Sequence, residues 1–303
     1  MNITFRQLRL FLAVAETGSV SRAAHQCHVT QPTASMQLKE VTEAVGLPLY
    51  EVVSRRVQLT DAGRDLAQTA RGIVDSWAAF EQRIDATQGL TRGQLRLAVV
   101  STAKYFVPKM LGSFCARYPE IDVSLEVQNR DGVVQRLRDN LDDLYIMSMP
   151  PTDLDLDDRV FMPNPLVLIA PKNLPFAGQR PVGLLELASH RFILRERGSG
   201  TRMAIDDHFK RSGFRPDLRL ELGSNEAIKA SVAAGLGIAV VSLHCLNGQS
   251  MGEQVSILNV EGFPVHSQWH VVTPRRKKLP PIAEVFLTHL LSEATHWAGQ
   301  AAG

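Results

Sequence analysis

Apolar residues recur over the first 47 positions in short helical bursts separated by tight breaks. Phe5, Leu8, Phe11, Leu12 and Ala15 fall at i, i+3, i+6, i+7 and i+10, one face of a helix. Gly18-Ser19 ends it, and Ser19 suits the N-cap of a second helix over Val20–Gln26. Cys27-His28-Val29 predicts a turn. Thr30 then caps a third helix that tolerates Pro32 in its first turn and runs to Val45, with Gly46 as its stop. Three helices in so few residues, the last two joined by a very short turn, have the economy of a helix-turn-helix. Residues 49–53 and 57–60, flanking Ser54-Arg55-Arg56, predict a hairpin, placed as a wing.

Residues 61–88 contain no proline and, beyond Gly63 in the first turn, one interior glycine, Gly72. Leu66, Ala70, Ile73, Trp77, Phe80 and Ile84 recur at spacings of 4, 3, 4, 3 and 4, the rhythm of a coiled-coil seam. A surface helix packed on its own domain would show the same rhythm. The narrow seam, with Asp75, Glu81, Gln82, Asp85 and Gln88 opposite, favours a dimerising helix. Residues 89–93 read as a hinge. Strand and helix patterns then alternate. Strands are expected over 94–100, 121–128, 144–149, 166–170, 191–194, 218–222, 238–242 and 268–273. Helices are expected over 103–117 (with Pro108 as a kink), 132–139, 183–188, 201–212, 225–234 and 282–297. This alternation predicts doubly wound α/β architecture, either one large sheet or two lobes with a cleft.

Composition narrows the picture by exclusion. The 303 residues carry 33 Lys+Arg against 31 Asp+Glu, and 45% are hydrophobic, so two or three ordinary domains are expected and wholesale disorder is not. The longest uncharged apolar-and-small run, 230–243, is too short to span a bilayer. No secretory signal is evident, and three scattered cysteines (Cys27, Cys115, Cys245) show neither zinc nor redox spacing, so a cytoplasmic setting is expected. Net charge is +2 overall and zero over residues 1–90, where nine basic residues meet nine acidic ones. DNA binding must therefore rest on placement.

The third helix supplies that placement. Its early residues would meet base edges in the major groove, and here they are Gln31, Pro32, Thr33, Ser35, Met36 and Gln37, with Lys39 further along. Arg55 and Arg56 at the hairpin tip can reach phosphates or the minor groove. A helical interaction module with ordinary polar faces is the alternative on spacing alone.

Longer motifs decide between them. Arg6-Gln7-Leu8, Ser21-Arg22-Ala23-Ala24, Thr30-Gln31-Pro32-Thr33-Ala34-Ser35, Gly46-Leu47-Pro48-Leu49-Tyr50-Glu51 and Leu59-Thr60-Asp61-Ala62-Gly63 closely resemble the LysR-type transcriptional regulators. The resemblance covers the whole chain. It implies an N-terminal all-α winged helix-turn-helix (residues 1–62), a linker helix and hinge (63–92), and a C-terminal α/β two-lobed effector domain resembling periplasmic binding proteins (93–303). Lobe I would comprise 93–163 and 268–303, and lobe II 164–267. Residues 101–106, Asn129-Arg130, 195–202 and 260–264 resemble the CbbR/CmpR-like branch controlling carbon-fixation operons. Two departures stand out: Val41-Thr42 where the family usually has Leu-Glu, and Val52 where Arg is common. The second removes a phosphate contact and leaves more to Arg55 and Arg56.

Two lines place an effector site. Ser101-Thr102 follows the first strand of the α/β region, where a strand's carboxyl end and a helix N-terminus favour an anion. Gly198-Ser199-Gly200-Thr201-Arg202 repeats the arrangement after the strand over 191–194. The resemblance implies that both segments border the cleft between lobes, where small anionic metabolites bind. The expected donors are Ser101, Thr102, Ser148, Ser199 and Thr201, with Arg195, Arg202, Lys104 and Arg130 supplying charge. Plain helix capping is the alternative for each hydroxyl, and surface solvation for Lys104 and Arg130.

Other clusters are read as surface. Seven Asp between 139 and 158 suggest a solvated acidic edge rather than a Mg²⁺ or Ca²⁺ site. Arg275-Arg276-Lys277-Lys278 suggests a solvated loop, and His25, His28 and His244-Cys245 lack ligand partners. No nucleophile-elbow, zinc-protease or P-loop pattern occurs, so neither catalysis nor a resident cofactor or metal is expected. The rival reading is a metabolite-binding or catalytic α/β protein with a helical appendage. The expected partners are double-stranded DNA, a small organic or phosphorylated anion, and a second copy through the linker helix, extending to a homotetramer. RNA polymerase is a further expected partner, and no membrane association is expected.

Overall fold

The computed structural model describes residues 2–54, 56–87, 93–173, 181–246 and 255–300, with only the backbone of 82, 83, 85–87 and 295–300. Contacts divide the chain into two compact units, one built on Met1–Leu90 and one on Thr91–Arg138 with Asp142–Gly303.

In the first unit, α1 (Phe5–Thr17) opens on a capping box between Thr4 and Gln7 and closes on Gly18 at φ +61°. Helix α2 (Val20–Gln26) starts at Ser19, whose hydroxyl accepts the Arg22 N–H. The third helix, α3 (Gln31–Val45), starts at Thr30, which accepts the Thr33 N–H. Ala34, Leu38 and Val41, at i, i+4 and i+7, are its buried stripe and join a core with Leu10, Phe11, Val14, Ala23 and Ala24. An antiparallel hairpin follows, β1 (Tyr50–Val53) and β2 (Arg56–Leu59), with Val53 opposite Arg56.

Helix α4 (Asp61–Thr87) corrects the single-seam expectation. Leu66, Ala67, Ala70 and Val74 pack into the core of their own unit. Ile73, Trp77, Phe80 and Ile84 stay 44–51% exposed. The heptad rhythm thus runs across two successive surfaces, because the first turns of the helix double as a wall of the helix-turn-helix core. Of the expected hinge, residues 89–92 lie outside the described residues.

The second unit contains two five-stranded sheets. The first has the order β4-β3-β5-β12-β6, from β3 (Gly93–Val100), β4 (Ile121–Gln128), β5 (Leu144–Met147), β6 (Leu156–Pro163) and β12 (Gln268–Pro274). The second has the order β11-β7-β10-β8-β9, from β7 (Leu166–Pro171), β8 (Arg191–Arg195), β9 (Asp217–Leu222), β10 (Ile238–Ser242) and β11 (Val255–Ile257). Each parallel set (β4, β3, β5; and β10, β8, β9) is closed by antiparallel strands. Helices α5 (Val107–Arg117), α6 (Arg130–Arg138) and α9 (Pro281–Gln300) belong to the first sheet, and α7 (Gly200–Arg211) and α8 (Asn225–Ala233) to the second. This is the two-lobed alternative, with separate apolar cores.

The chain passes between lobes twice, and the crossings pair with each other. The Asn164 N–H donates to the Ser267 carbonyl at 2.8 Å, and Leu166 exchanges both backbone bonds with Val265 at 3.0 and 2.9 Å. Four local expectations change. The helix expected from residue 103 begins at Val107, after a 3₁₀ turn over Ala103–Tyr105, with Pro108 in its first turn rather than at a kink. Phe106, at φ −128°, separates the two. The helix expected over 183–188 is a 3₁₀ stretch, Leu184–Ser189. Strand β6 was hidden because its exposed edge carries Asp157, Asp158 and Arg159, and β11 because it spans three residues.

Candidate functional site

Two surfaces carry chemistry, one in each unit. On α3, Gln31, Pro32, Ser35, Met36 and Lys39 form an exposed stripe opposite Ala34, Leu38 and Val41. Thr33 and Gln37 are half-buried beside it, and the Gln37 Oε1 has no partner among the described residues. Along the stripe, the Gln31 amide donates to the Ser35 hydroxyl at 3.2 Å, while Lys39 pairs loosely with Glu43 at 3.7 Å. A helix that buries only three small or aliphatic side chains and holds amides, hydroxyls and a methionine outward suits base-edge reading. Arg56 is exposed on the wing, and Val52, where the family commonly has Arg, is 66% exposed. Arg55 lies outside the described residues.

In the second unit, the ends of β3, β5 and β8 and the starts of α7 and α8 converge between the lobes. Arg195, the last residue of β8, is 2% exposed. Its guanidinium donates to the Ser101 hydroxyl at 3.1 Å and the Thr102 hydroxyl at 3.4 Å in the other lobe. It also donates to the Asn225 amide oxygen at 3.0 Å and to both carboxylate oxygens of Glu196 at 2.7 and 3.0 Å. The Asn225 amide reaches the Thr102 hydroxyl at 3.3 Å. A second bridge runs through Glu226, which accepts from Lys104 at 3.0 Å, Tyr105 at 2.5 Å and Ser224 at 2.9 Å. Burial would raise the Glu226 pKa, but these hydrogen bonds outweigh it and hold the carboxyl at about 2.

The glycines of the segment over 198–202 explain why the lobes approach so closely. A Cβ on Gly200 would lie 2.7 Å from the Ser148 hydroxyl and 3.1 Å from the Ser148 carbonyl oxygen. Gly198, at φ +86°, faces Asp131, whose N–H donates to the Gly198 carbonyl at 3.2 Å. Helix capping, the bland alternative for the hydroxyls, fails where it can be judged. Thr102 and Ser199 occupy N-cap positions without a side-chain cap bond. Ser148, Ser199 and Thr201 are 3–6% exposed, and their hydroxyls bond to none of the described residues.

The structure therefore brings together Ser101, Thr102, Lys104, Ser148, Arg195, Ser199 and Thr201. Arg130 and Arg202 have other commitments. Arg130 donates from Nε to the Met149 carbonyl at 2.5 Å and bolsters the exit of β5. Arg202 grips Asp206 at 2.9 and 3.0 Å, Glu221 at 2.9 Å and the Arg195 carbonyl at 2.8 Å, all within its own lobe. Sequence reasoning missed Tyr105, Glu196, Asn225 and Glu226. The strand–helix junction at 222–225, capped by Ser224, repeats the strand-end signal that found the other two segments and points to Asn225.

Comparison with known proteins gives this arrangement a family. The family described as "Bacterial regulatory helix-turn-helix protein, lysR family" matches residues 5–64, and "LysR substrate binding domain" matches 88–295. The chain belongs to the LysR family. Its LysR relatives include the HTH-type transcriptional activator CmpR of Synechocystis sp., 40% identical over 291 residues and 96% of each chain. The RuBisCO operon transcriptional regulator of Allochromatium vinosum is 41% identical over 294 residues and 97% of each chain. Among solved structures, the Synechocystis CcmR regulatory domain in complex with 2-PG is 44% identical with a TM-score of 0.65, covering 67% of this chain and 98% of that one. These relatives are transcriptional regulators, and this LysR chain is a helix-turn-helix transcriptional regulator with a two-lobed α/β effector domain rather than an enzyme.

The acidic and basic runs set aside as solvated surface neutralise each other or nearby groups. Asp142 takes a two-pronged bond from Arg136 at 2.8 Å on each arm, and Asp143 pairs with Arg96 at 3.0 Å. Asp153 pairs with Arg138 at 2.6 Å, Asp155 with Arg275 at 2.9 Å and Asp158 with His270 at 2.6 Å. Lys277 donates to the Asp142 carbonyl at 2.7 Å. Among the described residues, no group of three or more His, Cys, Asp or Glu could hold a metal ion.

Proposed function

We propose that this LysR regulator controls a carbon-fixation or inorganic-carbon operon and senses a small phosphorylated anion in the cleft between its lobes. The observation that carries the reading is the convergence of Ser101 and Thr102 on Arg195 beside the start of α7, where Ser148 packs on Gly200 and Ser199 and Thr201 hold buried hydroxyls. Hydroxyls and helix N-terminal amides are groups that bind phosphate, Arg195 holds the Ser101 and Thr102 hydroxyls in place, and the 44% identical CcmR domain is described in complex with 2-PG. Arg130 and Arg202 act at one remove, by fixing the loops that carry these donors. The first unit reads DNA through Gln31, Pro32, Thr33, Ser35, Met36, Gln37 and Lys39, with Arg55 and Arg56 on phosphates. Ile73, Trp77, Phe80 and Ile84 supply a dimer seam that pairs two half-sites, and dimers associate further into a homotetramer in the cytoplasm. Effector binding changes the lobe arrangement and so the presentation of the paired helices to DNA and to RNA polymerase. A mobility shift with DNA upstream of the neighbouring operon tests this. Specific retardation that changes with 2-phosphoglycolate and is lost in Arg56→Ala at matched salt is expected. Absence of any specific shift would leave a metabolite-binding protein with a helical appendage.

A further inference from the structure

The cations of the cleft are unequally compensated. Arg195 spends all five guanidinium N–H groups on Glu196, Asn225, Ser101 and Thr102. Lys104 is paired with Glu226 at 3.0 Å. Lys229 is different. It stands on α8 one turn beyond Asn225, on the same helix face, and is 2% exposed. Its ammonium donates to the Cys245 carbonyl at 2.8 Å and lies 5.2 Å from the centre of the Tyr105 ring. Among the described residues no carboxylate approaches it within 4.0 Å. An ammonium has three donors, so two remain. A buried cation faced by a neutral carbonyl and a ring is a standing electrostatic cost, and methionine would fill similar space without it. Its surroundings are those of the cleft: Tyr105 also bonds Glu226, and Asn225 bonds both Thr102 and Arg195.

We propose that Lys229 is an anion-recognition residue: one anionic group of the effector seats on its ammonium while a second is held by Ser101, Thr102 and the α7 amides. The proposal rests on the effector-cleft reading and narrows the ligand class. It specifies a small molecule with two anionic groups on a short carbon frame, such as a phosphate and a carboxylate. Tyr105 belongs to one lobe and Lys229 to the other, so parting the lobes uncovers the ammonium. An anion that then bridges Lys229 to Thr102 draws the lobes together.

Isothermal titration of the full chain with 2-phosphoglycolate, ethyl phosphate and glycolate tests this. The wild type should bind 2-phosphoglycolate about tenfold or more tighter than either single-anion probe. Lys229→Met should bring 2-phosphoglycolate close to the ethyl phosphate level, and Lys229→Arg should keep most of the affinity. If Lys229→Met stays within about twofold of wild type while Thr102→Val weakens binding, Lys229 is structural and the cleft reading survives. If Thr102→Val and Thr201→Val also change nothing, the cleft reading itself fails. Where Lys229→Met does not fold, the wild-type comparison decides alone. Equal affinity for 2-phosphoglycolate and ethyl phosphate, or no binding of any probe, overturns the two-anion assignment.

Discussion

Replacing Arg195 with methionine removes the group on which both lobes converge. Arg195 is 2% exposed, and its five donors serve a carboxylate, an amide and two hydroxyls. Methionine fills much of the volume but leaves Glu196, 21% exposed, beside unsatisfied polar neighbours. Breaking a buried ion pair from one side costs about 3–5 kcal/mol, because the remaining charge has lost its partner. For a unit of this size each kcal/mol lowers the melting temperature by roughly 2–4 °C, so Arg195→Met should melt about 6–20 °C below wild type. Adding Glu196→Gln should recover part of that loss, since the stranded charge is its main source. Urea and thermal denaturation of the full chain, followed by circular dichroism, measures both variants. A cost under about 1 kcal/mol for Arg195→Met would mark the contact as no stronger than a surface pair and refute the reasoning.

Other consequences follow from the same geometry. Gly200→Ala places a Cβ 2.7 Å from the Ser148 hydroxyl and 3.1 Å from the Ser148 carbonyl, so it should cost about 1–3 kcal/mol and weaken effector binding. A fully stable variant would show that the lobes are free to separate there. Glu226 has its pKa depressed from 4.5 to about 2, so its stabilising contribution is complete above 4.5 and is lost as pH falls toward 2; Glu226→Gln should flatten that stretch of the stability profile. Burial lowers the His244 pKa below 6.5, so the folded state binds its proton less readily than the unfolded chain. Stability should therefore fall as pH drops through 6.5, and His244→Phe should reduce that fall. Val52→Arg restores a cation on the exposed wing strand and should steepen the slope of log affinity against log salt by about 0.9, without changing sequence preference. An unchanged slope would remove the wing from the phosphate-contacting surface.

Legibility in the sequence followed the strength of the local signal. Helices α1 to α3 carry caps, stops and a clear apolar face, so their bounds agree with the structure to within a residue or two. The buried parallel strands read as apolar runs and were equally plain. Strand β6 was not, because its edge is built from Asp157, Asp158 and Arg159, and the partners of the two aspartates come from residues more than a hundred positions away. In the cleft, Ser101, Thr102 and the segment over 198–202 were legible because a hydroxyl or glycine cluster sits where a strand meets a helix. Glu226 and Lys229 were invisible, since an acid and a lysine on a helix look like solvated polarity until the fold buries them. Arg202 illustrates the reverse. Its place beside Arg195 suggested a second cation for the cleft, yet Asp206 and Glu221 neutralise it within its own lobe.

In the proposed mechanism an anion held between the lobes governs how the helix-turn-helix engages DNA. Its most direct test is operator binding by the full chain with and without 2-phosphoglycolate, comparing wild type with Thr102→Val and Thr201→Val. Both variants should keep wild-type operator affinity without the anion and lose its effect on the complex. An unaltered response in both variants would contradict it.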